Sequence, residues 1–159
     1  MNFKTNNSFD IALIVLLSLS LLVNSQAADV LEDICLRCIC EATSDCDLTK
    51  RCTKGNDVCG IFQLTWAYWH DAGQLTVNNE STENQSAFPN CANDPICAVN
   101  TVLNYMQIFA QDCNGDGQIN CYDYASIHKL GGYGCKGGIS GSYATKLDQC
   151  LQSYEPKLK

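Results

Sequence analysis

Residues 112–123 read DCNGDGQINCYD. Asp112, Asn114 and Asp116 fall at the first, third and fifth positions of a twelve-residue loop, Gly117 at the sixth and Asp123 at the last. At this spacing hard oxygen donors converge on a calcium ion, with Gln118 adding its backbone carbonyl and Gly117 allowing the sharp turn. Asp at the last position is shorter than the usual bidentate Glu, and Cys113 and Cys121 lie inside the loop. Two readings follow: a structural calcium site, or an acidic turn braced by disulfides. Elsewhere the reactive residues are scattered. Asp57 is the single acid between Cys52 and Cys59. It is either a working carboxylate or, beside Asn56, a turn former. His128 carries an imidazole that titrates near neutrality, although a lone histidine at a helix end is more often structural. Gly132 to Gly137 matches GxGxxG, but it lacks the preceding strand that a dinucleotide site requires. No cofactor is expected for catalysis.

The 12 cysteines are even in number and dense, which in an exported chain means a disulfide framework. Zinc is the rival, but no second CxxC lies at finger spacing from Cys35-Leu36-Arg37-Cys38 and there are only 2 histidines. Short loops favour Cys40–Cys46, Cys52–Cys59 and Cys91–Cys97. Export is expected from the N-terminus. Ile11 to Val23 is an apolar run followed by Ser25-Gln26-Ala27, the layout of a signal peptide over residues 1–27. The run is shorter than the roughly 20 residues of a membrane span. The remainder, 28–159, is long enough for one domain and is expected to be secreted and free of the membrane. The net charge of −7 argues against electrostatic attraction to nucleic acid or anionic lipid.

Elements must hold these residues in place. Leu31, Ile34, Cys35, Cys38, Ile39 and Ala42 recur at helical spacing and predict a helix over 31–43. Gly55, Asn56, Asp57 and Gly60 punctuate β-prone pieces, predicting a small hairpin within 51–65. Trp66 to Asp71 is read as a short helix that Gly73 ends. Residues 74–90 are polar and predict a surface loop. Asn79-Glu80-Ser81 and Asn84-Gln85-Ser86 in it match the N-glycosylation sequon, which is also common by chance. Asp94-Pro95 is a strong helix start, with apolar residues in phase to about 112. Further helices are predicted over 122–130, stopped by Gly131-Gly132, and over 143–152. The sum is an α+β domain, mainly helical with a small β-hairpin and rich in disulfides.

Four segments together carry a resemblance. They are CLRCICEATSDC at Cys35 to Cys46, CGIFQLTWAYW at Cys59 to Trp69, Asn104-Tyr105-Met106, and Gly134-Cys135. The chain resembles the invertebrate-type lysozymes, a family that includes the destabilases. The resemblance spans essentially all of 28–159 and implies a lysozyme-like fold. It also implies the pairs Cys35–Cys121, Cys38–Cys150 and Cys113–Cys135. The implied activity is hydrolysis of peptidoglycan β-1,4 links, which needs two carboxyl groups flanking the scissile bond, one held protonated.

The family's acid is the third residue after Cys-Ile-Cys, and that position is Thr43. A hydroxyl cannot serve as the proton donor near neutral pH. Glu41 is the nearest substitute, but two residues along a helix is a rotation of roughly 200°, which fits a solvated surface glutamate. Asp57 is the candidate for the second carboxylate. Gly60, Phe62 and Gln63 match the cleft-lining hairpin. Trp66, Tyr68 and Trp69 offer faces for sugar stacking, with core packing the alternative for at least two of them. The implied partner is a bacterial wall glycan or a chitin-like oligosaccharide. Three functions remain: a hydrolase, a sugar-binding defence protein without cleavage, or an isopeptidase of destabilase type using Ser44 and Lys50.

Overall fold

The computed structural model describes residues 33–154. The expected signal peptide, 1–27, lies outside them. The architecture is a set of helices stapled by disulfides. Helix α1 covers residues 33–44; α2 is Trp66–Asp71, α3 Ala87–Asn93, α4 Pro95–Phe109, α5 Cys121–Leu130 and α6 Gly141–Tyr154. Single 3-10 turns stand at Val77–Asn79 and Cys135–Gly137.

Local chemistry explains most boundaries. Thr65 caps α2 by accepting from the Tyr68 amide. Asp94 caps α4 by accepting from the Cys97 amide at 2.8 Å, with Pro95 in the first turn where its missing N–H costs nothing. Asn120 and Asp123 form a capping box at α5, and Gly131, with φ 81°, ends that helix. Helix α4 stops at Phe109 rather than near 112, because the chain turns extended at Ala110.

Two sequence expectations need correction. The small hairpin is reduced to one antiparallel bridge, Cys59 to Leu64, and among the described residues no longer strand forms. The preceding residues instead turn back on themselves, with Asn56 N–H donating to Thr53 and Thr53 N–H to Val58. The Cys52–Cys59 bridge closes that turn, which leaves too little chain for two strands. The predicted loop over 74–90 also contains a helical turn and the start of α3. Pro89 sits in the first turn of α3, where it is tolerated, and Ala87, Phe88, Cys91 and Ala92 are buried there.

All six expected disulfides form. Cys35–Cys121 joins α1 to α5 and Cys38–Cys150 joins α1 to α6. Cys91–Cys97 clips α3 to α4, Cys113–Cys135 ties the acidic loop to the second 3-10 turn, and Cys40–Cys46 and Cys52–Cys59 close short loops. Each bridge contributes about 2–4 kcal/mol, chiefly by restricting the unfolded chain. Between them lies a core in which Ile39, Leu64, Trp69, Val102, Ile127 and Leu147 are fully buried.

Candidate active site

The last turn of α1 meets the Cys59–Leu64 bridge. Ser44, buried at the end of α1, donates its hydroxyl to the Ile61 carbonyl at 2.6 Å. One residue earlier, the Thr43 hydroxyl donates back along the helix to the Ile39 carbonyl at 2.7 Å. Thr43 also makes a hydrogen-bond contact with Tyr143, a buried phenol whose pKa desolvation pushes up. Tyr143 in turn donates to the Ala125 carbonyl. Thr43 therefore carries a half-buried hydroxyl engaged with its own helix and facing α6.

The neighbouring carboxylates are directed elsewhere. Glu41 pairs with Arg37 at 3.1 Å on the outer face of α1, as the helical rotation requires. Asp45 pairs with Lys146 at 2.6 Å. Asp57 is exposed in the loop closed by Cys52–Cys59.

The Gly60–Gln63 turn is held by close packing. Gly60 has φ 71°, and a Cβ there would stand 1.7 Å from the Ala92 carbonyl oxygen. Only glycine fits, both for conformation and for space. The Gln63 side chain donates to the Gly60 carbonyl at 2.7 Å. Phe62 and Tyr68 correct the expectation that they line the sugar site. Phe62 is 2% exposed and Tyr68 9%, so both rings belong to the core. Trp69 is also buried, its indole N–H donating to the Leu75 carbonyl at 2.7 Å. Trp66 is the exposed one of the three expected stacking rings, at 55%, and it stacks on His70 with centroids 4.9 Å apart.

His128 is a residue whose work the sequence did not reveal. Its Nε2 lies 3.1 Å from the Phe62 carbonyl and its Nδ1 3.3 Å from the Tyr68 hydroxyl. The neutral tautomer with Nε2–H satisfies both: it donates to Phe62 and accepts from Tyr68. Desolvation pushes its pKa down to about 4, against a smaller opposing effect from the Phe62 carbonyl. Tyr68 is pushed well up by burial. His128 is thus a neutral latch that fixes the turn to α5 and α2, with no free lone pair for base chemistry.

The acidic loop was open to two readings, a calcium site or a turn braced by disulfides. The Asp112 carboxylate accepts from Gly115 and Gly117, Asn114 from Asp116, and Asp116 from Gln118, all through backbone amides. Asp123 is fully buried and accepts from the amides of Cys113 and Asn120, both at 2.8 Å. Its carboxylate faces the α5 cap. Among the described residues no group of three or more His, Cys, Asp or Glu is arranged to hold a metal ion. The geometry supports the disulfide-braced turn. The Ser44–Lys50 pair is likewise not made, since the Ser44 hydroxyl is engaged by Ile61.

Comparison with known proteins agrees with this frame. The family model named Destabilase matches residues 32–150. Invertebrate-type lysozyme 3 of Caenorhabditis elegans is 34% identical over 117 residues, covering 73% of this chain and 84% of that protein. The lysozyme of Ostrea edulis is 34% identical over 126 residues, covering 77% of this chain and 82% of its own. Among solved structures, an inhibitor-bound lysozyme from Meretrix lusoria superposes with a TM-score of 0.53 at 29% identity, covering 75% of this chain and 87% of that one. Tapes japonica lysozyme gives 0.52 at 26% identity, with the same coverage. The fold is therefore lysozyme-like and mainly helical, and the chain belongs to the Destabilase family of invertebrate-type lysozymes.

Proposed function

We propose that this protein is a secreted lysozyme-family protein that binds peptidoglycan-type β-1,4 glycans and does not hydrolyse them efficiently. The observation that carries this reading is Thr43. At the family's acid position stands a hydroxyl that donates to Ile39, and glycoside cleavage needs a group that can hand a proton to the leaving oxygen. Glu41 does not substitute, because it is paired outward with Arg37. Asp57 is the candidate for the remaining ionised carboxylate, and exposed Trp66 for a sugar-stacking face. The Gly60–Gln63 turn would form the cleft wall through its backbone. Asn79 and Asn84, both exposed, are candidate glycan attachment points. The isopeptidase reading is not favoured, since its serine hydroxyl is committed to Ile61.

A wall-lysis assay tests the reading. Wild type is expected to sediment with insoluble peptidoglycan and to leave its turbidity unchanged. Thr43→Glu is expected to clear the suspension. Rapid clearing by the wild type would overturn the proposal, as would a folded Thr43→Glu protein that gains nothing.

A further inference from the structure

A groove of about 550 Å³ opens where the base of the Cys52–Cys59 loop meets the first 3-10 turn and the α3–α4 elbow. Its size lies within the roughly 300–1,000 Å³ of small-ligand sites. None of its lining residues belongs to the expected catalytic or sugar-binding set. Charges of both signs line it: Arg51, Glu80 and Asp94. Among the described residues, none of the three makes an ion pair.

Each charged group is oriented by neutral partners. Arg51 Nη1 donates to the carbonyls of Leu48 and Lys50 at 2.9 and 3.0 Å, which fixes the guanidinium and leaves its other N–H groups for a ligand. The Asn90 side chain donates to both Glu80 oxygens at 3.2 and 3.1 Å, and Asn84 adds a third bond at 3.3 Å. Asp94 caps α4 through Oδ1. Asn93, also on the groove, gives its amide hydrogens to Pro89 and Cys52, while its buried Oδ1 has no hydrogen-bond partner among the described residues. Val77 and Pro89 supply apolar surface.

We propose that this groove binds a short zwitterionic peptide, its carboxylate on Arg51 and its ammonium between Glu80 and Asp94. A guanidinium fork matches a carboxylate, and carboxylates that line the same groove match an amine. Peptides that branch from bacterial glycan strands carry both groups. That last identification rests on the peptidoglycan reading above, whereas the peptide chemistry rests on the groove alone.

The oxidised mature chain is titrated by calorimetry with three probes. They are the free peptide L-Ala-γ-D-Glu-L-Lys-D-Ala, the same peptide with its amines acetylated and its carboxyls amidated, and chitotetraose. The free peptide is expected to bind saturably and the blocked one at least ten-fold more weakly. Arg51→Gln and Glu80→Gln are each expected to weaken the free peptide at least ten-fold and to leave chitotetraose unchanged. If Arg51→Gln fails to fold, Glu80→Gln and the blocked peptide still decide. No saturable peptide binding, or equal binding by both variants and wild type, overturns the proposal. So does loss of chitotetraose binding in the same variants, which would make this a saccharide groove. A wild type that binds the peptide but neither chitotetraose nor cell walls would sink the glycan reading and leave the groove standing.

Discussion

The hydroxyl of Ser44 and the carbonyl of Ile61, 17 residues apart in sequence, are joined by a 2.6 Å hydrogen bond. It welds the end of the helix that carries Thr43 to the turn that carries Gly60 and Gln63. Ser44→Ala would leave the Ile61 oxygen unpaired. The expected loss is about 1–3 kcal/mol, read by denaturant unfolding with the disulfides intact. An unchanged midpoint would show that the bond does not brace the junction.

His128 makes stability depend on pH. Its folded pKa of about 4 lies below the value near 6.5 of an unfolded histidine. Between those values the unfolded chain takes up a proton and the folded chain does not, so stability falls as pH drops from about 6.5 towards 4. The full effect is on the order of 3 kcal/mol. His128→Gln is expected to flatten the stability profile in that window. If the two profiles stay parallel, the histidine is not the group responsible.

Gly60 admits no side chain. Its φ is 71°, and the Ala92 oxygen lies 1.7 Å from the point a Cβ would occupy, so Gly60→Ala must displace α3 or the turn. A loss of about 3 kcal/mol or more is expected, in the range of severe single substitutions. Thermal melting of the oxidised protein measures it, and a variant no further from wild type than the ~0.5 kcal/mol scale of surface changes would refute the packing argument.

Asp123 is expected to act as a cap rather than as a ligand. Asp123→Ala removes two buried acceptor bonds and should cost about 2–4 kcal/mol. A chelator is expected to leave the melting temperature of the wild type unchanged, because the loop's own amides and disulfides hold its shape. A chelator-induced drop that added calcium reverses would restore the cation reading.

The linear sequence determined what neighbouring residues decide together. Asp94-Pro95 starts α4, Gly131 ends α5, and the short cysteine spacings close Cys40–Cys46, Cys52–Cys59 and Cys91–Cys97, because caps and small loops act within a few residues. Tertiary structure decided which way side chains face. Phe62 and Tyr68 turned into the core because Tyr105 packs 3.7 Å from Tyr68 and His128 bonds the Phe62 carbonyl. Asp123 is committed inside its own loop, because the backbone amides of Cys113 and Asn120 both converge on its carboxylate. Gly60 was pinned against a helix further along the chain, where the Ala92 carbonyl leaves no room for a Cβ. Composition locates polar and apolar residues, but burial and hydrogen-bond partnership belong to pairs of residues far apart in the chain.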